Sequence, residues 1–186
     1  NVLFLDNHDL GRIFGNLDGN LEKFKSGMTL LLTLRGIPMM YYGTEILMTG
    51  SGGAFGKGGR KDFPGGFAGD ENNKFKERDR TKMEREAFDF LSTLANYRKQ
   101  TTALQTGKLT QYIPQDGIYV YFRYDADKTV MIAYNSNEEP VQLSTERFAE
   151  QLAGFTSATN VINSKTIQDL GMLDIVPHGT LVLELK

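Results

Sequence analysis

The sequence has no cysteine, only two histidines and no long apolar run, and each of these gaps excludes a class of protein. Without cysteine there is no disulfide framework, no thiol nucleophile and no cysteine-bound zinc. The histidines, His8 and His178, are too few and too far apart in sequence to suggest a zinc site. No stretch approaches the ~20 apolar residues that a membrane-spanning helix needs. The sequence therefore predicts neither a membrane span nor a metal site.

The chain also lacks an excess of positive charge, because 21 lysines and arginines face 23 acidic residues. A nucleic-acid partner needs a basic surface that displaces counterions, so none is expected here. Hydrophobic residues make up 40% of the chain, which is too apolar for a disordered segment. We expect a folded protein of one or two domains.

The chain begins with Asn1 and enters the apolar run 2–5 at once. A continuous apolar run, without alternation, is typical of a strand that is buried on both faces, as in parallel sheets. We expect the chain to be a piece of a larger protein, with any targeting segment upstream of Asn1.

The first half of the chain has the pattern of a βαβ unit. Apolar residues three and four positions apart from Leu21 to Leu32 predict a helix that Gly36 stops, and a second apolar run follows at 37–42. Strand, helix, strand implies parallel pairing through a right-handed crossover. Farther along, Thr81 and Glu84 have the spacing of a capping box, and the helix that they begin is predicted to reach about Gln100.

Between these helices, residues 50–69 hold nine of the chain's 20 glycines, which predicts a long loop. The segment around Gly56 and Lys57 lacks the glycine and hydroxyl spacing of a phosphate-binding loop. The glycine-rich loop therefore does not indicate a nucleotide site.

After Gly107 the pattern changes to short β-type runs separated by turns, including hairpin turns at 114–117 and 125–128. This is typical of an antiparallel β-sandwich. The predicted strands are 109–113, 118–124, 129–134, 141–143, 159–162 and 180–185, with a short helix at 145–152. We predict an α/β unit over residues 1–104 and an all-β unit over 105–186. Two parallel strands cannot bury both faces of a sheet, so the first unit is expected to be part of a larger layered architecture.

The polar residues Asp6, Asn7, His8 and Asp9 crowd the end of the first apolar run, and Arg12 follows them. In parallel α/β folds ligands bind at the carboxyl ends of the strands. Position alone leaves open a second interpretation, in which an aspartate caps a helix beside a structural histidine.

Two motifs resemble the α-amylase superfamily, glycoside hydrolase family 13. Residues 4–9, FLDNHD, resemble the FxxNHD motif of that family's seventh barrel strand, and residues 36–45, GIPMMYYGTE, resemble the GxPxxYYGxE motif of the eighth. The two occur in the right order with one helix between them. Residues 97–104 and the sandwich after them are similar to the final barrel helix and the C-terminal β-domain. The resemblance covers essentially the whole chain and implies the last strands and helices of an incomplete (β/α)8 TIM barrel, followed by an antiparallel β-sandwich.

The resemblance assigns roles to residues at the end of the first strand. Asp9 falls on the family's third carboxylate, a transition-state stabiliser that hydrogen-bonds the 2- and 3-hydroxyls of the sugar at the cleavage point. His8 falls on a histidine that binds the same sugar. Asn7 either holds the turn or contacts substrate, and Arg12 either reaches a sugar or pairs with a carboxylate.

A narrower similarity concerns residues 60–67, RKDFPGGF, which resemble the loop after strand eight in neopullulanases of periplasmic starch-utilisation systems. The phenylalanines of this loop, Phe63 and Phe67, could stack on sugar rings or serve only to pack the loop. The similarity implies a periplasmic or secreted protein, and a cytoplasmic one is the alternative.

The implied activity is that of a retaining α-glucan hydrolase, of the α-amylase or neopullulanase type, on α-1,4 bonds of starch, pullulan or cyclodextrins. Because the family's nucleophile and general acid lie on earlier strands, the chain by itself is expected to be inactive. The alternatives are a transglycosylase of the same family and a non-catalytic carbohydrate-binding or structural module.

The expected partners are an α-glucan oligosaccharide or polysaccharide and the missing N-terminal portion of the barrel. Self-association through the exposed barrel face is a further expectation, because large apolar patches seldom remain in water. No cofactor is required, although calcium can be bound by the full-length parent. Residues 16–20 offer oxygens suited to calcium, but a plain turn is the preferred interpretation.

Overall fold

The computed structural model of the protein describes residues 1–51 and 59–186. Gly56 and Lys57 lie outside this part of the chain. Within it, no helix is both long and apolar enough to cross a membrane.

The amino-terminal part contains the predicted βαβ unit. Its elements are β1 (Val2–Leu3), α1 (Ile13–Asn16), α2 (Leu21–Thr33) and β2 (Ile37–Pro38). The strands are parallel, with Val2 opposite Ile37 and Leu3 opposite Pro38, which confirms the predicted direction. Both strands are shorter than the apolar runs that predicted them. The ladder ends where the Met39 N–H donates to the Leu3 carbonyl at 2.8 Å, because the chain then leaves the sheet for the polar turn.

Capping residues fix the starts of the two long helices. Asn20 caps α2 by accepting from the Lys23 N–H at 2.9 Å. Helix α3 (Lys82–Gln100) begins with the predicted capping box, in which the Thr81 N–H donates to the Glu84 carboxylate at 2.6 Å and the Glu84 N–H donates to the Thr81 hydroxyl at 3.2 Å. Each side chain thus satisfies an N–H group that the helix leaves without a partner.

The carboxyl-terminal part forms the predicted antiparallel sandwich. Its elements are α4 (Thr102–Gln105), β3 (Lys108–Gln111), β4 (Ile118–Tyr124), β5 (Thr129–Asn135), β6 (Val141–Ser144), α5 (Ala149–Leu152), β7 (Ala158–Asn160), β8 (Thr166–Ile167), β9 (Met172–Ile175) and β10 (Thr180–Leu185). A six-stranded sheet has the order β3-β4-β5-β10-β7-β8, and a two-stranded sheet pairs β6 with β9. Both predicted hairpin turns are present. The sequence prediction missed β8 and β9.

Both faces of the six-stranded sheet are buried. Tyr121, Val130, Ile132 and Val182 share one core with α2 and α3. Alternate residues of the same strands form a second core with the β6-β9 layer, namely Val120, Phe122, Met131, Ala133 and Leu183 with Leu173 and Ile175. Because successive strand residues point to opposite faces, the central strands carry apolar side chains at nearly every position. The sheet therefore packs on the helices as well as on its own second layer.

Two arginines, one from β4 and one from α3, bond to carbonyls at the end of α2. Arg123 is fully buried and donates from Nη1 to the Thr33 carbonyl at 2.6 Å. Arg98 donates to the Leu32 carbonyl at 2.7 Å and to the Gly36 carbonyl at 2.9 Å. Burial lowers the pKa of both guanidinium groups. Because the last carbonyls of a helix have no partner within it, these cations satisfy the C-terminus of α2 and complement its dipole.

Glu184 of β10 lies beside α3 and accepts hydrogen bonds from three side chains. The Tyr97 hydroxyl donates at 2.7 Å, Lys128 Nζ donates at 2.9 Å, and Lys186 is the third donor. Burial alone would raise the pKa of Glu184, but the three donors outweigh it and lower this pKa to about 2. Folding therefore stabilises the ionised carboxylate.

We predict that Glu184→Gln removes part of the acid sensitivity of the fold. The pKa of Glu184 is lower in the folded chain than its ordinary 4.5, so its stabilising effect is present above that pH and is lost as pH falls toward about 2. Denaturant titrations of the full-length protein between these pH values should give a shallower loss of stability for the variant. Glu150→Gln, at an exposed position, is the control. If the unfolding free energy of Glu184→Gln fell with pH as steeply as that of the unmodified protein, the prediction would be wrong.

Candidate functional site

The site lies at the carboxyl ends of β1 and β2. Because the two strands are parallel, the loops that follow them leave the same edge of the sheet. The loops are in contact, since the Arg12 N–H donates to the Gly50 carbonyl at 2.9 Å. The residues predicted at the end of the first strand therefore meet residues that follow the second.

Asp6 anchors the loop after β1 through its buried carboxylate. Its side chain is buried, with 2% of its surface exposed. It accepts from the Ile13 N–H at the start of α1 and from the Thr44 hydroxyl beyond β2, both at 3.1 Å. One buried carboxylate thus ties together both loops of the site. Asp6 was predicted only as part of the polar cluster after the first strand, although its place directly after that strand was a usable signal.

Asn7 shapes the turn that presents the next two residues. Its side-chain oxygen accepts from the N–H groups of Asp9 at 2.8 Å and Leu10 at 2.9 Å. Asparagine commonly forms such a turn with the backbone two residues on. The interpretation of Asn7 as the residue that holds the turn is confirmed, and its contact with substrate stays a prediction.

His8 and Asp9 lie in the loop at the carboxyl end of β1, which we call the rim of the site. Both side chains are open to solvent. His8 Nε2 is 3.2 Å from Asp9 Oδ2. Arg60, from the loop after β2, donates from Nη2 to Asp9 Oδ1 at 3.1 Å and from Nε to the His8 carbonyl at 3.2 Å. The two residues that the resemblance assigns to sugar binding are therefore adjacent and accessible. Arg60 was not assigned from the sequence.

Arg12 departs from its predicted roles. It is fully buried beneath the rim, so a sugar docking from solvent has no access to its guanidinium. Nor does it pair with a carboxylate in the described part of the chain: Nη1 donates to the Tyr42 carbonyl at 2.6 Å, and the guanidinium carbon lies 4.2 Å from the Tyr41 ring centre and 4.7 Å from that of Tyr42. The tyrosine faces supply the negative potential that a carboxylate was predicted to supply.

The predicted aromatic residues Phe63 and Phe67 lie in the loop after β2. Phe63 packs against Phe75, with ring centres 4.3 Å apart, while Phe67 is 64% exposed. Asp70 holds this turn by accepting from the Gly65 N–H at 2.7 Å and the Phe67 N–H at 3.1 Å. The structure thus gives Phe63 a packing role and leaves Phe67 free to meet a ligand; the sugar contacts of both stay predictions.

The turn at residues 16–20 is built from backbone bonds. The Gly19 N–H donates to the Phe14 carbonyl and the Asn20 N–H to the Leu17 carbonyl, both at 3.0 Å. The Asn20 side-chain oxygen is already engaged at the start of α2. These bonds form a turn at residues 16–20, and calcium binding by the parent protein stays a prediction.

Two family models together match most of the chain. Residues 1–89 match the family described as "Alpha amylase, catalytic domain", and residues 109–184 match "Cyclo-malto-dextrinase C-terminal domain". The first match contains the His8–Asp9 rim and both parallel strands. The second covers most of the sandwich.

Two proteins of similar sequence support these matches. The chain is 33% identical to an α-amylase of Niallia circulans over 73% of this chain and 22% of the relative. It is 29% identical to a cyclomaltodextrin glucanotransferase of Bacillus sp. (strain 6.6.3) over 88% of this chain and 21% of the relative. The chain therefore spans about a fifth of the length of these proteins.

A solved structure shares the fold over the whole chain. The α-amylase of Geobacillus thermoleovorans, crystallised with acarbose, superposes on 100% of this chain and 38% of its own, with 27% identity and a TM-score of 0.69. The parallel strands correspond to the end of a catalytic barrel, and the sandwich corresponds to the domain that follows it. The chain therefore belongs to the α-amylase superfamily, glycoside hydrolase family 13.

Proposed function

We propose that this chain is the carboxyl-terminal part of a retaining α-glucan hydrolase of the neopullulanase or cyclomaltodextrinase type. The observation that supports this most is the solvent-facing pair His8 and Asp9 at the carboxyl ends of two parallel strands. The match of residues 109–184 to a cyclomaltodextrinase C-terminal domain favours this subgroup. The proposed substrates are α-1,4-linked glucans such as starch, pullulan or cyclodextrins.

In this proposal Asp9 binds the 2- and 3-hydroxyls of the sugar whose anomeric carbon reacts. The transition state resembles an oxocarbenium ion, and bonds to these hydroxyls strengthen as the ring flattens toward it. A carboxylate accepts both bonds, while His8 beside it can donate or accept one. The binding energy is then greatest in the transition state, which is the condition for accelerating the reaction.

The covalent chemistry is proposed to come from the rest of the barrel. One carboxylate there would attack the anomeric carbon as the glycosidic bond breaks, and a carboxylic acid would protonate the leaving oxygen. Water then cleaves the glycosyl–enzyme bond and restores both groups. Because this chain contributes neither role in the proposal, it should bind sugar weakly and turn over none when isolated.

The exposed strand faces support the proposed need for the remaining barrel. Ile37 is 66% exposed and Val2 is 55% exposed, although both belong to apolar strands. Apolar strands of this kind are stable when other layers cover them. We propose that the amino-terminal barrel strands cover these residues, and that a second copy of the chain does so only when that portion is absent.

Hydrolysis and transfer can be separated by counting reducing ends. We expect the full-length protein to release one new reducing end, initially in the α-configuration, for every bond cleaved in maltooligosaccharides or cyclodextrins. A transferase would redistribute chain lengths while the number of reducing ends stays constant. Transfer is a real second candidate because cyclomaltodextrin glucanotransferases are among the relatives.

The matched control for this assay is the isolated chain, residues 1–186, which should show no turnover. If the full-length protein does not act on α-1,4-linked glucans, the proposed function is wrong. Turnover by the isolated chain would contradict the division of roles. Affinity for maltooligosaccharides that maps to residues 105–186 without turnover would favour a binding module instead.

A further inference from the structure

Arg60 connects the two loops of the site at a single point. Its Nη2 donates to Asp9 Oδ1 at 3.1 Å, and its Nε donates to the His8 carbonyl at 3.2 Å. The guanidinium therefore bonds both the side chain of Asp9 and the backbone of the turn that carries it. A planar fork with several donors can make two such bonds in a fixed geometry, which a lysine cannot.

The segment that carries Arg60 is itself held against the rim. The N–H of Gly59 donates to the Ser51 carbonyl at 3.1 Å, and a side chain at this glycine would lie 3.4 Å from the Leu10 carbonyl. On the other side of Arg60, the Tyr42 hydroxyl donates to the Lys61 carbonyl at 2.6 Å. The backbone on both sides of Arg60 is therefore tied to the site.

The carboxylate of Asp9 has room for two further bonds. An ionised carboxylate offers about four acceptor positions. In this structure Arg60 uses one on Oδ1, and His8 lies 3.2 Å from Oδ2. The remaining positions match the number of hydroxyls that Asp9 is proposed to bind.

The same contact has little value for stability. The side chains of Arg60 and Asp9 are 55% and 59% exposed. Ion pairs that are this open to water contribute little to folding, since water and salt screen them. The contact is better explained by the orientation that it gives the carboxylate.

Resting on the function proposed above, we infer that Arg60 is a positioning residue for Asp9. It holds the carboxylate in one rotamer, with its free acceptor positions directed toward the sugar. Small displacements of a reacting or stabilising group lower the rate because its bonds no longer align in the transition state. Arg60 itself makes no bond to the sugar in this role.

The test is a double-mutant cycle in the full-length protein with an activated aryl α-maltooligosaccharide. Arg60→Gln should lower kcat on the order of 10- to 100-fold with little change in KM, because orientation matters most in the transition state. Arg60→Lys keeps the charge but not the planar guanidinium, so its kcat should lie between those of the unmodified protein and Arg60→Gln. In an Asp9→Asn background, Arg60→Gln should change kcat less than about 3-fold, since the group that it positions is already absent.

Arg78→Gln is the control, because Arg78 is an exposed arginine in the segment between β2 and α3 and pairs with the neighbouring Asp79 at 3.5 Å. It should leave kcat and KM unchanged. The positioning role would be overturned if Arg60→Gln lowered kcat by the same factor in the unmodified protein and in Asp9→Asn. It would also be overturned if Arg60→Gln did not lower kcat in the unmodified protein. Near-normal turnover of Asp9→Asn alone would instead overturn the proposed function of Asp9, so the two failures are distinguishable.

Discussion

Asp9→Asn should lower kcat/KM of the full-length enzyme on α-1,4-linked glucans by roughly 10²- to 10⁴-fold. Two charge-assisted hydrogen bonds contribute about 1.5–3 kcal/mol each. Each factor of ten in rate corresponds to about 1.4 kcal/mol. Asparagine keeps one acceptor oxygen and the same shape but has no charge. The fall in kcat/KM therefore reports weaker binding of the transition state and not a change in the shape of the site.

Stability should be unchanged in this variant. Asp9 is exposed, and its contacts with Arg60 and His8 are open to solvent. Circular dichroism and the thermal midpoint should therefore match those of the unmodified protein. Asp18→Asn is a matched control, because Asp18 is an exposed aspartate at φ 53°, a conformation that asparagine tolerates. Normal turnover in Asp9→Asn would remove Asp9 from the mechanism.

Arg123→Met should reduce the free energy of unfolding of the full-length protein by about 2–4 kcal/mol, since buried carbonyls lose their donor. Arg123 is fully buried, and Nη1 donates to the Thr33 carbonyl at 2.6 Å. Its other nitrogens lie 3.3 Å from the Lys108 carbonyl and 3.4 Å from the Gly107 carbonyl. Methionine fills most of the volume of the arginine side chain. The fall in the free energy of unfolding therefore reports the lost hydrogen bonds and not a cavity.

Denaturant titration followed by tyrosine fluorescence measures this change. Arg147→Met is the matched control, because Arg147 also donates to a carbonyl, that of Ile113 at 3.0 Å, but is exposed. Its cost should stay within about 0.5–1 kcal/mol. Equal stability of Arg123→Met and the unmodified protein would mean that the cost of burying the guanidinium offsets its hydrogen bonds.

Local patterns predicted the elements of the fold well. The spacing of Thr81 and Glu84 predicted the start of α3, and the turn at 114–117 predicted the β3–β4 hairpin. These features depend on contacts within a few residues. Strand β9 (Met172–Ile175) was missed because it is short and half exposed, and only its pairing with the distant β6 makes it a strand.

Contacts between distant residues could not be predicted in the same way. Arg123 was part of a predicted strand, but nothing in the sequence shows that the face bearing it packs against α2. Arg60 and Asp9 are 51 positions apart in the sequence. The composition of the glycine-rich segment before Arg60 does not show that Arg60 lies next to Asp9. Arg12 was expected to reach a sugar or to pair with a carboxylate, and it meets two tyrosines. Such pairings follow from tertiary packing alone.

The buried helix-side face of the six-stranded sheet limits how this domain can be exchanged between enzymes. A chimera joined within α4 (Thr102–Gln105) would place Tyr121 and Val182 against foreign helices whose side chains did not evolve to fit them. A graft that carries α2 and α3 along with the sandwich keeps that surface intact. Crossover points upstream of Leu21 should therefore yield soluble hybrids more often than crossovers at the apparent domain junction.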